Sequence, residues 1–138
     1  MAKKRGQIST EYILLVGFIV FLVISTLGIA FIYTAEIKDE INFDEVERFA
    51  NKVTSSAESV FYAGEPSRIT IVGYVPEGVT SIQILSDQIV FNISTISGRN
   101  SLSYVSNVPL QGTISNTFGT KKLRIEAQQN QVTITETN

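Results

Sequence analysis

Cysteine and histidine are both missing from the 138 residues of this chain. Without thiols the chain has neither disulfide bonds nor a cysteine nucleophile, and without imidazole it lacks the commonest metal ligand and the usual acid–base group. A serine nucleophile would need a lysine base, and no Ser-x-x-Lys pattern occurs beyond residue 64. These absences predict a protein that is not an enzyme and that takes no cofactor or metal.

Positive charge is scarce outside the first six residues. The formal net charge is −2, with 11 basic and 13 acidic side chains, and three of the basic ones are Lys3, Lys4 and Arg5. Loss of residues 1–6 would leave 8 basic side chains against 13 acidic ones, a net charge of −5. Because no basic patch then remains to neutralise phosphates, the sequence argues against nucleic acid as a partner.

The main feature that is present is a run of 24 uncharged residues, from Tyr12 to Ala35. About 20 apolar residues at roughly 1.5 Å each cross a bilayer core, whereas a secretory signal has an apolar region of only about 7 to 15 residues. The run therefore predicts a transmembrane helix that is retained. The basic residues before it keep its amino end cytoplasmic by the positive-inside rule, so we expect the rest of the chain to lie outside the cell.

A single acid, Glu11, stands at the amino end of this run. An unpaired carboxylate at the edge of hydrocarbon costs on the order of 2.5 kcal/mol or more, which makes it a candidate functional residue. Cleavage between Gly6 and Gln7 would create an α-ammonium four residues upstream, and the ammonium of a neighbouring subunit could pair with Glu11. Alternatively, Glu11 is only a first-turn acid favoured by the helix dipole, close to a cap at Ser9 or Thr10.

The segment Lys4–Gly6, followed by Gln7-x-Ser9-x-Glu11 and an apolar helix, resembles the class III signal peptide of archaeal type IV pilins. The resemblance covers residues 3–33. It implies that a prepilin peptidase cuts between Gly6 and Gln7 and that Glu11 sets the registry between subunits. Because the related archaellins usually lack this Gln-x-Ser-x-Glu pattern, the chain is more similar to an adhesion pilin. The residues implied in leader recognition are Lys3, Lys4, Arg5 and Ser9.

This resemblance implies a membrane-inserted precursor that later becomes the subunit of an extracellular surface pilus. Its implied partners are further copies of the chain in a helical homopolymer, the prepilin peptidase, an assembly ATPase, a membrane platform protein, and the membrane before assembly. Two alternatives stay open: a simple one-pass membrane anchor, and a non-polymerising pilin-like binding protein or minor pilin. The side chains expected in the filament core are Tyr12, Leu15, Phe18, Phe21, Leu22 and Phe31.

The helix is expected to continue well beyond the apolar run. Neither proline nor glycine occurs from Ile29 to Ala63, so we expect one helix from about Ser9 to Ala63, with Gly64 and Pro66 as its stop. We assign residues 1–6 to a cleaved leader and residues 7–64 to the helix, of which residues 12–35 are the transmembrane or filament-core part. Its second half carries apolar residues at helical spacing, among them Ile37, Ile41, Val46, Phe49, Ala50, Val53, Ala57, Val60 and Phe61.

From Ser67 onward the apolar period changes to two. Alternating groups such as 89–93 and 123–127, separated by turn residues such as those at 76–78, predict about seven short strands. The predicted fold class is α+β, in which the long helix precedes a small antiparallel β-sandwich at residues 65–138, with an immunoglobulin-like arrangement as one option. A single sheet wrapped on the helix stays open, and the sequence does not fix the strand order.

The β region contains one N-glycosylation sequon, Asn92-Ile93-Ser94. Alternation places Asn92 opposite Phe91 and Ile93, so it would face outward if those two side chains face the core. We therefore name Asn92 as a candidate glycan site.

Two further groups in the β region could bind a partner. The basic cluster Lys121-Lys122-x-Arg124 could pair with anionic sugars, lipids or the acidic residues 44–47 of an adjacent helix, although a solvated strand end is the expectation we prefer. Tyrosine is common in strands, so packing is also the preferred expectation for the tyrosines, which are Tyr62, Tyr74 and Tyr104.

Overall fold

A long helix, α1, opens the part of the chain that the computed structural model describes, which is residues 4–96 and 98–137. The helix runs from Lys4 to Ala63. It ends as predicted, because Gly64 adopts a φ of 75°, and its N–H donates a hydrogen bond to the carbonyl oxygen of Phe61 at 3.1 Å. The described part of the helix already includes Lys4, five residues before the expected start at Ser9.

The chain divides into two units, one that ends at Lys38 and one that begins at Asp39. The first contains the apolar half of α1. The second contains the amphipathic half of α1 and, within the described residues, seven strands. These are β1 (Arg68–Val75), β2 (Val79–Ile84), β3 (Gln88–Thr95), β4 (Gly98–Val105), β5 (Leu110–Thr113), β6 (Gly119–Gln128) and β7 (Gln131–Glu136).

The strands form two sheets, with the orders β1-β6-β7-β5 and β2-β3-β4. The α+β class and the two-sheet arrangement are therefore confirmed. Every strand pair is antiparallel except β5 with β7, which run parallel. In an immunoglobulin domain the first two strands are neighbours in one sheet, whereas here β1 pairs with β6 and β2 with β3. The strand order therefore differs from that of an immunoglobulin domain, and the immunoglobulin-like option is wrong.

The core of the second unit is shared by α1 and both sheets. The ring of Phe49 on α1 meets the ring of Phe91 on β3 edge to face, with centroids 6.0 Å apart. Alternation along the strands turns side chains such as Ile89 and Leu123 inward. The buried apolar residues of α1 lie at helical spacing and form one stripe, which consists of Val46, Phe49, Ala50, Val53, Ala57 and Val60.

Two carboxylates of α1 bind the ends of β4. The Oδ2 atom of Asp39 accepts a hydrogen bond from the backbone N–H of Ile96, just before β4, at 3.2 Å. The Oε1 atom of Glu58 accepts from the backbone N–H of Asn107 at 3.2 Å and from its side-chain Nδ2 at 2.8 Å, just after β4. Residues 39–58 of the helix therefore run alongside this edge strand.

The same part of α1 contacts β1, the free edge of the other sheet. The Nζ atom of Lys52 donates a hydrogen bond to the carbonyl oxygen of Val72 at 2.7 Å. A Cβ atom at Gly73 would lie 2.4 Å from the ring of Phe49. The ring can therefore pack against β1 only because residue 73 has no side chain. Since β2 and β5 approach each other at the opposite edges, α1 fills the side of the sandwich that lies between β1 and β4.

The strand β5 was not among the stretches singled out from the sequence. It is only four residues long, and Gly112 within it has a φ of 140°. A Cβ atom there would lie 2.0 Å from the carbonyl oxygen of Ile134 on β7. Glycine is therefore required for the parallel pairing of β5 with β7.

Candidate functional site on the amino-terminal helix

Apolar side chains cover the surface of α1 on all sides between residues 12 and 33. None of the side chains described at residues 10–34 is buried, and only Ser25 is even partly covered. Soluble monomers rarely expose a contiguous apolar surface of this kind unless it binds something. The six predicted filament-core residues all belong to it, with exposed fractions of Tyr12 68%, Leu15 58%, Phe18 62%, Phe21 64%, Leu22 47% and Phe31 77%.

The serine and threonine hydroxyls at residues 25, 26 and 34 bond to the helix itself. The Oγ atom of Ser25 donates to the carbonyl oxygen of Phe21 at 2.8 Å, and the Oγ1 atom of Thr34 donates to that of Ala30 at 2.8 Å. Each hydroxyl donor is thereby satisfied without water. Among the described residues, α1 is the one helix long and apolar enough to cross a membrane, and none of its most apolar window is buried.

The predicted processing site lies at the amino end of this helix. The backbone of Lys4, Arg5, Gly6, Gln7 and Ser9 is helical, while their side chains lie outside the described part of the structure. Lys3 lies outside the described residues altogether. Cleavage and leader recognition at these positions therefore stay predictions.

Glu11 is exposed at the start of the apolar surface. The partner predicted for it is the α-ammonium of a neighbouring processed subunit, which a single chain does not contain. Its role in registry stays a prediction, and its exposed position leaves its carboxylate accessible to such a partner.

Asn92 lies on β3, the central strand of the three-stranded sheet. Its side chain is half-buried, out of phase with the buried Phe91 and Ile93, and its Nδ2 atom donates a hydrogen bond to the Oγ atom of Ser81 at 2.8 Å. A glycan at Asn92 stays a prediction, and the same nitrogen already bonds within the sheet.

The predicted basic cluster is divided by the fold. Lys122 and Arg124 are exposed, whereas Lys121 is buried. The Nζ atom of Lys121 donates hydrogen bonds to the Oε1 atom of Glu136 at 2.9 Å, to the Oγ atom of Ser115 at 2.5 Å and to the hydroxyl of Thr117. Lys121 therefore ties β6 to the end of β7 and to the loop before β6.

Glu136, which is partly exposed, completes the network around Lys121. It accepts hydrogen bonds from the backbone N–H of Ser115 at 2.9 Å and from Lys121. These bonds, the backbone one first, hold the pKa of the Glu136 carboxyl below its usual range. The sequence did contain a signal for the network, because Lys121 and Glu136 are each in phase with the buried residues of their strands.

The three candidate tyrosines lie in three different environments. Tyr104 is half-buried and packs edge to face on Phe91, and burial together with the nearby Glu47 raises the pKa of its hydroxyl. Tyr74 borders an open groove between α1 and β1, and Tyr62 is exposed at the end of α1. They do not form a common binding face, which leaves packing as the role seen for Tyr104.

No protein-family model, curated protein or solved structure matches this chain. Among the described residues no group of three acidic side chains is placed to hold a metal ion. The fold and the site define an α+β protein with a membrane-length apolar helix whose surface is uncovered and whose second half is built into a β-sandwich. This apolar surface is the strongest candidate for a functional site.

Proposed function

We propose that the chain is a prepilin, the precursor of a structural subunit of an archaeal type IV adhesion pilus. The observation that carries the proposal is the exposed apolar surface of α1 between residues 12 and 33. The pattern of Gly6, Gln7, Ser9 and Glu11 directly before that surface supports the proposal over other membrane proteins.

The size of the surface means that it must be covered. Fifteen valine, leucine, isoleucine and phenylalanine side chains between residues 13 and 32 are exposed. Full burial of such a side chain contributes about 1.5–3 kcal/mol, so covering the surface is worth on the order of 10–20 kcal/mol even after what the helix already hides. Lipid covers it in the precursor, and the helices of neighbouring subunits cover it in the fibre.

The exchange of lipid for protein needs a further source of specificity. Lipid tails and leucine side chains are about equally apolar, so association in the membrane depends on close packing and on polar pairs. Gly17 and Gly28 have open space around them, which allows neighbouring helices to approach. Pairing of Glu11 with the new amino terminus of a neighbour, at Gln7, would fix the register, and ATP hydrolysis by the assembly ATPase would drive extraction from the bilayer.

The second unit would be the exposed part of the fibre. After the leader is lost the net charge is −5, and the β-sandwich carries the half-buried Asn92 as its candidate glycan site. Contact with surfaces or other cells is the role that follows for this unit.

The alternative is a solitary pilin-like binding protein or minor pilin that stays in the membrane. It needs only lipid to cover the apolar surface and gives Glu11 no partner. The two proposals therefore differ in what Glu11 does.

The test compares Glu11→Ala with Glu36→Ala, which removes an acid at the opposite end of the uncharged run. Surface fibres are purified from cells that express each variant, and their subunits are measured by intact mass. We expect wild-type and Glu36→Ala subunits to begin at Gln7 and to form fibres, and Glu11→Ala to be cleaved and inserted but to form few.

Two results would contradict this account. Normal fibres from Glu11→Ala would remove Glu11 from the assembly mechanism. A native protein that stays solitary in the membrane, or that retains Lys4–Gly6 in its mature form, would overturn the prepilin assignment.

A further inference from the structure

One end of the second unit contains its first residue, Asp39, which follows the uncharged run of α1 by four residues. Asp39 lies at this end, and it accepts the hydrogen bond from the backbone N–H of Ile96, in the β3–β4 turn. We call it the stem end of the β-sandwich. The β3–β4 turn of the three-stranded sheet is therefore fixed beside the first residue of the unit.

The loop before β6 in the other sheet reaches the same end. Only residues 76–78 separate the end of β1 from the start of β2, and the last residue of β1, Val75, pairs with Gly119 at the start of β6. The Nδ2 atom of Asn116 also donates a hydrogen bond to the carbonyl oxygen of Thr80, near the start of β2, at 2.6 Å. Phe118 thus lies at the stem end, as Ile96 does.

Both of these side chains face solvent although they are large and apolar. Ile96 is 74% exposed and Phe118 is 68% exposed. They belong to loops of two different sheets, so neither exposure follows from the other. A solvated loop tip does not require either residue type.

The sequence places this end close to a bilayer. Four residues separate Asp39 from Ala35, the last residue of the uncharged run, and four residues span at most about 14 Å in any conformation. The polar region on each side of a bilayer core is about 5–8 Å thick. Whatever direction the preceding helix takes, Asp39 is therefore within about a headgroup layer of the membrane interface.

We infer that Ile96 and Phe118 insert into the lipid interface of the precursor and hold the stem end of the β-sandwich on the membrane before assembly. This inference rests on the proposed membrane-inserted precursor. The apolar face of an amphipathic helix at an interface is buried about 5–10 Å into the boundary between headgroups and acyl chains, and we expect apolar loop side chains to use the same boundary. The partner is thus a lipid surface, and assembly into a fibre would have to release it.

The absence of tryptophan from the chain allows a direct test. Single-tryptophan variants of the full chain, Ile96→Trp and Phe118→Trp, are reconstituted in phosphatidylcholine vesicles with or without lipids brominated near the headgroup. Val105→Trp is the matched control, because Val105 is 72% exposed at the other end of β4, about 23 Å along the strand from Gly98. Circular dichroism checks that each variant is folded.

We expect Ile96→Trp and Phe118→Trp to show blue-shifted emission that the brominated lipids quench, and Val105→Trp to show neither effect. Phe21→Trp, near the middle of the apolar run, is measured in lipids brominated in the middle of the acyl chains and reports separately on the proposed membrane insertion. If Phe21→Trp is quenched while the stem-end variants behave like Val105→Trp, this inference fails and the proposed function stands. If Phe21→Trp is not quenched, membrane insertion itself is refuted.

Discussion

Replacement of Gly73 by alanine should destabilise the second unit only while the ring of Phe49 lies against it. A Cβ atom at residue 73 would lie 2.4 and 2.5 Å from two carbons of that ring, which is closer than real Cβ contacts come. The φ angle of Gly73 is not in the left-handed region, so alanine meets no backbone strain there. The cost of Gly73→Ala is therefore a packing cost alone.

The magnitudes follow from the burial of Phe49. Overpacking a core typically costs about 1–3 kcal/mol, which we expect for Gly73→Ala in the wild-type chain. Phe49 is buried to 3% exposure and packs on Phe91, so Phe49→Ala should cost about 3–5 kcal/mol. Once the ring is gone, alanine at residue 73 should instead stabilise by about 0.4–1 kcal/mol, because it restricts the unfolded chain.

The assay is a double-mutant cycle on the full chain in nonionic detergent. Guanidinium unfolding is followed by near-ultraviolet circular dichroism of the tyrosines in the second unit, and the free energy of unfolding is extrapolated for each variant. We expect Gly73→Ala to change sign between the two backgrounds, which gives a coupling of at least about 1.4 kcal/mol with Phe49. An equal cost of Gly73→Ala in both backgrounds would refute the packing of α1 on β1.

Two further predictions concern the four-stranded sheet. Because the pKa of Glu136 is lowered in the folded state, its contribution to stability is present above the unfolded pKa of about 4.3 and is lost as the pH falls through the folded value. Glu136→Gln should therefore unfold more easily at pH 7 and lose less stability on acidification, and parallel acid profiles would contradict this. Gly112→Ala should destabilise the fold by more than Gly119→Ala in the same denaturation assay, because both glycines have positive φ but only Gly112 meets a backbone oxygen within 4 Å. The difference should be about 1–3 kcal/mol, and equal costs would exclude a close approach of β5 to β7.

Local pattern was sufficient to predict the elements of the second unit other than β5. The period of two at residues 123–127 predicts the buried face of β6, and Gly64 with Pro66 marks the end of α1. Strand β5 escaped notice because it has a single buried apolar residue, Leu110, and a glycine within four positions. An alternating pattern cannot emerge from so short a strand.

Pairing and long-range contacts were beyond reach of the sequence. The strand order depends on which edges meet, and the parallel pairing of β5 with β7 joins residues 22 positions apart, such as Leu110 and Val132, without any shared local signal. Asp39 and Glu58 accept hydrogen bonds from backbone N–H groups of loops. Because every residue except proline has such a group, the sequence does not show which one a carboxylate will bind. Lys121 is the instructive case, because its charge suggested a surface residue while its phase with Leu123 placed it inside.

The membrane-length surface of α1 was predicted from composition and is exposed as expected. A single chain does not show what covers this surface. Lipid and a second copy of the helix offer the same apolar environment to Phe21 or Phe31. In the proposed pilin, the distinction between them would depend on the pairing of Glu11 with the amino terminus of a second subunit.

The stripe of α1 that is buried between β1 and β4 also determines how this protein would bear mechanical load. A tensile force on the helix would reach the β-sandwich through side chains such as Phe49 and Val53, all of which would have to slide out of the interior together. Such a shear geometry resists rupture better than the peeling of a terminal strand, whose bonds break one at a time. The helix would then transmit force directly to the core of the β-sandwich, because its second half is part of that core.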